Sequence, residues 1–135
     1  MRSQILLAAV SVMLNSTAAR AEWMPVGTDS DGSVWLMDPD RISDSGNRVH
    51  AWVKIDASND RTVKYRDGKR LYSSICSEKK LKLLSATDYD SYGKVLDSNS
   101  NSDSPYSDYG YQYVTPDSMG ETVLELSCAV SKARN

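Results

Sequence analysis

Nucleophilic catalysis in this chain would have to involve its single histidine, His50. A nucleophilic triad needs a base beside serine or cysteine, and that base is usually histidine. His50 falls in the middle of an alternating segment, on the polar side with Trp52 and Lys54, and no Gly-x-Ser-x-Gly elbow is present. We therefore predict no enzyme activity, no catalytic residue and no cofactor. A small hydrolase is the disfavoured alternative.

The two cysteines, Cys76 and Cys128, could form a disulfide, bind a metal or supply a catalytic thiol. Two cysteines and one histidine rarely make a zinc site, and a catalytic thiol lacks an evident partner. In an oxidising compartment an even number of cysteines is typical of disulfides. We predict one disulfide, which closes a loop of 53 residues.

Acidic residues are frequent but do not form a convincing site. Doublets of aspartate occur in predicted turns, as turn chemistry alone would give. A polar segment at residues 97–108 has the oxygen-bearing spacing 1, 3, 5, 7 and 12 of a calcium loop. Its sixth position is Ser102, where the sharp turn requires glycine, and no helices flank it. We predict a solvated, mobile loop and no metal. The five residues in that spacing are Asp97, Asn99, Asn101, Asp103 and Asp108.

Basic residues are concentrated between residues 64 and 82. If Lys80 and Lys82 share a strand face and Arg70 lies on the neighbouring strand, they form a basic patch. Such a patch attracts sulfated glycans, acidic proteins or lipid headgroups. The competing interpretation is protection of an edge strand, for which lysine is a common device. The predicted partner-binding residues are Arg70, Lys79, Lys80, Lys82 and Trp52.

The N-terminal segment, residues 1–21, has the features of a secretory signal peptide. A short basic start precedes an apolar run at residues 5–14, and small residues at 19 and 21 give a cleavage site after Ala21. The run is too short to cross a bilayer. We expect an exported bacterial protein, located in the periplasm, at the cell surface or outside the cell.

Export would leave a single domain at residues 22–135, 114 residues in all. Arg2 and Arg20 are lost with the signal, so 14 Lys and Arg face 18 Asp and Glu, and the formal charge is −4. A net acidic protein is a poor candidate for binding nucleic acid. We predict no nucleic-acid partner and no membrane span.

The scaffold is predicted to centre on residues 49–56, whose strict alternation is typical of a half-buried strand. Further strands are expected at residues 23–26 on an edge, 34–38 paired with the central strand, 62–65, 71–76, 80–89 and 94–96. Asp67-Gly68 predicts a turn. In residues 80–89, the alternation places Leu81, Leu83, Ser85 and Thr87 on one face.

Residues 118–131 are compatible with a helix or a strand. Ser118 and Glu121 fit a capping box, and apolar residues then recur at spacings of four, three and four. Leu124, Leu126 and Cys128 alternate as in a strand. We predict the helix, with an apolar stripe at Met119, Val123, Leu126 and Val130. The fold class is α+β: an antiparallel sheet of five to six strands, with a C-terminal helix tied to the sheet by the disulfide.

Several short motifs follow the predicted signal peptide in a fixed order: Trp23, Trp35-Leu36-Met37-Asp38 followed by Ile42, Val49 to Trp52, Cys76, and the run of Tyr111, Val114, Pro116, Ser118, Glu121 and Cys128. Their order resembles that of the bacterial surface-adhesin protein E family. The sequence departs from the family at Trp35-Leu36, where the family tends to have two tyrosines, at Tyr111, where tryptophan is usual, and in the long polar loop.

The resemblance implies an antiparallel sheet whose C-terminal helix is held by the disulfide, and adhesion to host matrix or plasma proteins. We predict a secreted or surface binding protein whose partner is a protein or an anionic glycan. The alternative is a periplasmic accessory protein that pairs through a sheet edge with a partner of the same cell, or with itself as a homodimer.

Overall fold

The computed structural model describes residues 22–135, so the predicted signal peptide lies outside the described residues. The sheet is antiparallel, with the order β1-β2-β4-β5-β6-β7; β3 pairs with β4, and β8 pairs with β6. The predicted fold class is confirmed. The elements are β1 (Met24–Thr28), β2 (Val34–Met37), β3 (Ser43–Ser45), β4 (Arg48–Asp56), β5 (Asp67–Ile75), β6 (Lys80–Tyr89), β7 (Val95–Ser100), β8 (Gln112–Tyr113) and α1 (Met119–Arg134).

The central strand β4 divides the sheet into two faces. Ala51, Val53 and Ile55 are buried with Met37 of β2 and Val123 of α1, and this side is called the helix face. Burying each large aliphatic side chain stabilises the fold by roughly 2 kcal/mol. The other side of β4, which we call the open face, has no helix against it in the described part of the chain. Alternation along β4 therefore positions one core and one polar surface, as predicted.

Two local predictions are wrong. Residues 62–65 are irregular, with bends at 62 and 64, and do not form a strand. Asp67 and Gly68, predicted to be a turn, begin β5, because their backbones pair with β4 on one side and β6 on the other and this pairing overrides turn propensity. The last predicted strand, residues 94–96, extends further: β7 continues to Ser100 through residues predicted to be loop. As an edge strand, β7 accepts polar side chains on both faces.

A bulge in β6 changes which side chains share a face. The strand has the predicted bounds, but Leu84 is an extra residue opposite the step from Leu71 to Tyr72. Because a bulge shifts the alternation by one residue, Ser85 and Thr87 lie on the open face. The prediction that they share a face with Leu81 and Leu83 is therefore wrong.

The C-terminal segment is a helix, and its predicted cap is present. Ser118 Oγ accepts a hydrogen bond from the backbone N–H of Glu121 at 3.2 Å. The Glu121 carboxylate in turn accepts one from the backbone N–H of Asp117, also at 3.2 Å. These bonds satisfy donors that a helix start leaves without partners.

The buried stripe of α1 differs from the predicted one. The buried residues are Val123, Leu124, Ser127 and Ser131, while Leu126 is only partly buried. Ser127 Oγ lies 3.4 Å from Ser74 Oγ of β5. Small serines let the helix approach the sheet closely, and that contact rotates the apolar stripe relative to the predicted one. No helix within residues 22–135 is both long and apolar enough to cross a membrane.

The Cys76–Cys128 disulfide joins α1 to the sheet, as predicted. Cys76 is the first residue of a short 3-10 turn directly after β5, one residue beyond the strand. On α1, Cys128 follows the buried Ser127. The bond therefore fixes the helix near its C-terminal half, while core packing at Val123 fixes the half before it.

We expect the Cys76→Ser/Cys128→Ser double variant to lose about 4 kcal/mol of unfolding free energy, because its unfolded chain is no longer cross-linked. Urea unfolding of the oxidised protein and of the variant measures the difference. Reductant should destabilise the native protein and leave the double variant unchanged. Equal midpoints for the oxidised protein and the variant would contradict this.

Candidate functional site

The open face is covered by a loop, residues 101–111, instead of a helix. The loop runs from the end of β7 to the start of β8 and crosses above the first residues of β4. Arg48 and His50 of β4 point into it, as does Ser73 of β5, the register partner of His50. The polar side chains at the start of β4 thus lie beneath this loop and contact it.

Arg48 is the residue that holds this loop. Its side chain is only 6% exposed. One terminal nitrogen donates to Asp103 Oδ1 and the Ser104 carbonyl, both at 2.7 Å. The other donates to the Ser107 carbonyl at 2.9 Å and to Asp108 Oδ1 at 3.1 Å. Four acceptors from one loop therefore surround a single guanidinium.

Tyr111 completes the cluster from the far end of the loop. Its hydroxyl oxygen lies 2.7 Å from Ser73 Oγ and 3.1 Å from both carboxylate oxygens of Asp103. The Arg48 guanidinium stacks 4.8 Å from its ring centre, and Lys82 Nζ lies 5.7 Å from the same ring. Burial raises the pKa of the Tyr111 phenol, so the fold favours its neutral form.

The polar segment predicted to be a loop begins as part of β7, up to Ser100, and its remainder is hydrogen-bonded to the sheet at several points. Asn101 is fixed by its backbone N–H on the Leu84 carbonyl and its side-chain amide on the Leu83 carbonyl. Two of the three acids that the calcium spacing selected, Asp103 and Asp108, converge on a cation, and that cation is Arg48. Asp97 and Asn99 belong to β7. The calcium-like spacing thus identified acids that lie close together in the fold, but the cation between them is the Arg48 guanidinium and not a metal ion.

His50 has the surroundings of a structural residue. Its Nε2 lies 3.5 Å from Asp103 Oδ2. Two serines are aligned with it, Ser73 of β5 and Ser43 of β3. Ser73 is fully buried and hydrogen-bonded to Tyr111, so substrate does not reach its hydroxyl, whereas Ser43 is exposed.

A group of three carboxylates, Asp29, Asp31 and Asp60, lies elsewhere, with one oxygen of each within 4.8 Å of the others. Asp29 already accepts from the backbones of Asp31 and Ser33 and from the Trp35 indole N–H. Asp60 accepts from the Ser33 hydroxyl. These bonds explain the cluster as a link between two turns.

The predicted basic residues separate between the two faces. Lys80 and Lys82 share the open face, since they are aligned with Ile75 and Ser73 of β5. Arg70 lies on the helix face, aligned with Val53, where it pairs with Asp88 at 2.8 Å and stacks over Tyr65. Arg70 therefore does not extend a patch formed by Lys80 and Lys82.

Of the other two predicted contact residues, Lys79 directly precedes Lys80, and Trp52 lies two strands away from Lys80 and Lys82. Lys79 is exposed and adopts a left-handed backbone with φ of 53°, which ends the 3-10 turn before β6. Trp52 is half-buried on the open face, two strands and roughly 10 Å from β6. The structure thus brings residues 79–82 together and leaves Trp52 as a separate aromatic surface.

Exposed tyrosines next to the lysines were not predicted as site residues. Lys80 Nζ lies 4.9 Å from the centre of the Tyr113 ring, and Tyr113 is 74% exposed. Tyr109 is 86% exposed in the loop before it. The signal was present: residues 80 and 82 and residues 111 and 113 both have the period of two that places side chains on one strand face. Lys79, Lys80, Lys82, Tyr109 and Tyr113 are called the lysine–tyrosine surface.

Comparison with known proteins gives one family and one fold. A model of the family described as surface-adhesin protein E matches residues 23–129. Two structures of Haemophilus influenzae protein E, one of them crystal form II, each superpose with a TM-score of 0.55 over 84% of this chain. The superpositions cover 91% and 88% of the two protein E chains, at 14% and 16% sequence identity. At this identity the similarity establishes the fold alone. No curated protein matches.

We expect Arg48→Met to lower the free energy of unfolding by about 3 kcal/mol, because Asp103 keeps its charge in a largely buried position without its partner. Hydrogen exchange should also rise within residues 101–111. Urea unfolding and exchange mass spectrometry measure the two effects. Arg61→Met, at an exposed position, is the control and should change stability by less than about 0.5 kcal/mol. Unchanged protection of the loop in Arg48→Met would show that Arg48 does not anchor it.

The raised pKa of Tyr111 predicts a loss of stability in alkali. Because the folded pKa lies above the ordinary 10.0, its contribution is complete below pH 10 and is lost as the pH rises through the folded value. The stability difference between the native protein and Tyr111→Phe should therefore shrink above pH 10. Urea unfolding between pH 8 and pH 11 tests this, with Tyr106→Phe as the exposed control. A difference that is constant with pH would refute the coupling.

Proposed function

Because the chain belongs to the surface-adhesin protein E family, we propose that it is a non-enzymatic binding protein exposed at the cell surface, where it contacts a protein or an anionic glycan. Family membership confirms the resemblance seen in the sequence motifs. The disulfide supports a location outside the cytoplasm, since such bonds persist in oxidising compartments.

The observation that carries this proposal is the lysine–tyrosine surface. It combines the exposed Lys79 and the partly buried Lys80 and Lys82 with exposed aromatic rings at one edge of the sheet, in a protein that is acidic overall. Tyrosine gives a large contact area with few rotatable bonds and is enriched at interfaces. Lys80 and Lys82 each lie over a tyrosine ring, which holds their stems in place. An anionic partner would therefore contact lysine ammonium groups that are held in place beside the flat, apolar tyrosine rings.

A second candidate function is pairing through a sheet edge, with a partner of the same cell or with a second copy. It is favoured by β7, which is the last strand in the sheet order and is exposed along all six residues. Free edge strands can accept a further strand through their backbone groups. This candidate places the contact at β7 and makes no use of residues 79–82.

We expect the triple variant Lys79→Glu/Lys80→Glu/Lys82→Glu to bind about tenfold less tightly, because it reverses the charge of the surface. The assay is attachment of protein, purified after export of the full chain, to decellularised matrix and to intact host cells at low salt. Lys64→Glu/Lys94→Glu/Lys132→Glu is the matched control, with the same change in net charge at exposed positions, and should retain binding. If both triple variants bind alike, the lysine–tyrosine surface is not the contact site.

A further inference from the structure

A pocket of about 430 Å³ opens at the outer edge of the sheet beside the lysine–tyrosine surface. It lies where β7 has ended and β8 has not begun, since β7 pairs with residues 85–89 of β6 and β8 with residues 80 and 81. Lys82, Asn101, Tyr109 and Gln112 are among its lining residues. We propose that this pocket binds an acidic sugar, a saccharide unit that carries a carboxylate or a sulfate. The inference rests on the proposed function and names the partner chemistry.

Tyr109 supplies the apolar part of such a site. Its ring is 86% exposed at the rim of the pocket. A tyrosine has a flat apolar body and a polar tip, so one of its faces can pack against the C–H face of a pyranose while its hydroxyl stays hydrated. Gly110, which follows it, has φ of +85°, and a Cβ there would meet Lys82 Cε at 3.0 Å. Glycine thus lets the chain turn directly against the lysine stem, and Tyr109 and Lys82 line the same pocket.

The polar groups around the ring suit a polyhydroxyl ligand. Asn101 and Gln112 carry planar amides, each of which offers donors and an acceptor to neighbouring hydroxyls. Asn101 is held in position because its amide nitrogen donates to the Leu83 carbonyl at 3.1 Å. Gln112 belongs to β8, so the sheet fixes its backbone opposite Leu81. Two amides on fixed backbones give the pocket directional bonds that a bare charged patch lacks.

Lys82 gives the pocket its preference for an anion. It is the one Lys, Arg, Asp, Glu or His side chain among the residues that line the pocket in the described structure. Its Nζ donates to the Ser102 carbonyl at 2.8 Å, which holds the ammonium at the pocket wall. The nearby acids of the loop, Asp103 and Asp108, are paired with Arg48. Neither acid lines the pocket, so the charge that faces a ligand there is the Lys82 ammonium, and a charge-assisted bond favours an acidic sugar over a neutral one.

The test is a calorimetric titration of the exported protein with three probes: sulfated lactose, sialyllactose and lactose. We expect the sulfated or the sialylated probe to bind at least about tenfold more tightly than neutral lactose, and the two acidic probes distinguish sulfate from carboxylate. Tyr109→Ala and Gln112→Ala should each weaken binding about tenfold. Lys82→Gln should remove the preference for the acidic form.

The control variant is Tyr106→Ala, which removes a tyrosine that is 96% exposed in the same loop and does not line the pocket. It should bind as the native protein does. Failure of both acidic probes to bind would overturn the inference, as would equal affinity of Tyr109→Ala and the native protein. An oligoglutamate peptide that binds as tightly as the sugars would overturn it too, because the site would then be an unspecific cationic patch.

Attachment to matrix separates this inference from the proposed function, because Tyr109→Ala leaves every lysine in place. If the triple lysine variant loses attachment while Tyr109→Ala keeps it, the adhesive surface stands and the sugar pocket fails. If both lose attachment and the acidic sugars bind, both stand. If neither loses attachment, both are refuted.

Discussion

The buried guanidinium of Arg48 determines how the second face of this sheet is covered. One helix can cover only one face, and here the helix face carries the core. A charge with 6% exposure is tolerated only when its donors find acceptors. Residues 103–108 supply four acceptors, so the loop has to cross the sheet at this strand. That crossing buries Tyr111 against Ser73 and leaves Tyr109 and Gln112 at the sheet edge, where the candidate contacts lie.

Those parts of the fold whose signals are local could be predicted from the sequence. Along residues 49–56 of β4, buried and partly buried side chains alternate without a break, so neighbouring residues alone reveal the strand. The Ser118 cap bonds Glu121 within one helical turn, so it too is visible in the sequence. The start of β5 at Asp67 and Gly68 and the bulge at Leu84 could not be predicted, because each depends on pairing with strands that are distant in sequence. The buried stripe of α1 was misplaced for the same reason, since Ser127 is buried through its contact with Ser74 of β5.

The candidate site was predicted in part. Period-two spacing placed Lys80 and Lys82 on one face correctly, but the face of Arg70 depends on its register with Val53, which the sequence does not give. Arg48 gave no signal, because a lone arginine at a strand start is ordinary. Its partners did give one: the calcium-like spacing selected Asp103 and Asp108 by their oxygens. Such a spacing shows that acids can converge and does not show which cation they surround.

The two faces of the sheet are stabilised by different means, and this separates scaffold from contact chemistry. On the helix face a covalent bond at Cys76 supplements apolar packing. On the open face the Arg48–Asp103 pair is largely buried, so salt screens it weakly, whereas Lys79 is exposed and is screened strongly. Changes in ionic strength therefore act on attraction to a partner before they act on the loop that shapes the site. A binding surface can be tuned in this way while the fold beneath it stays fixed.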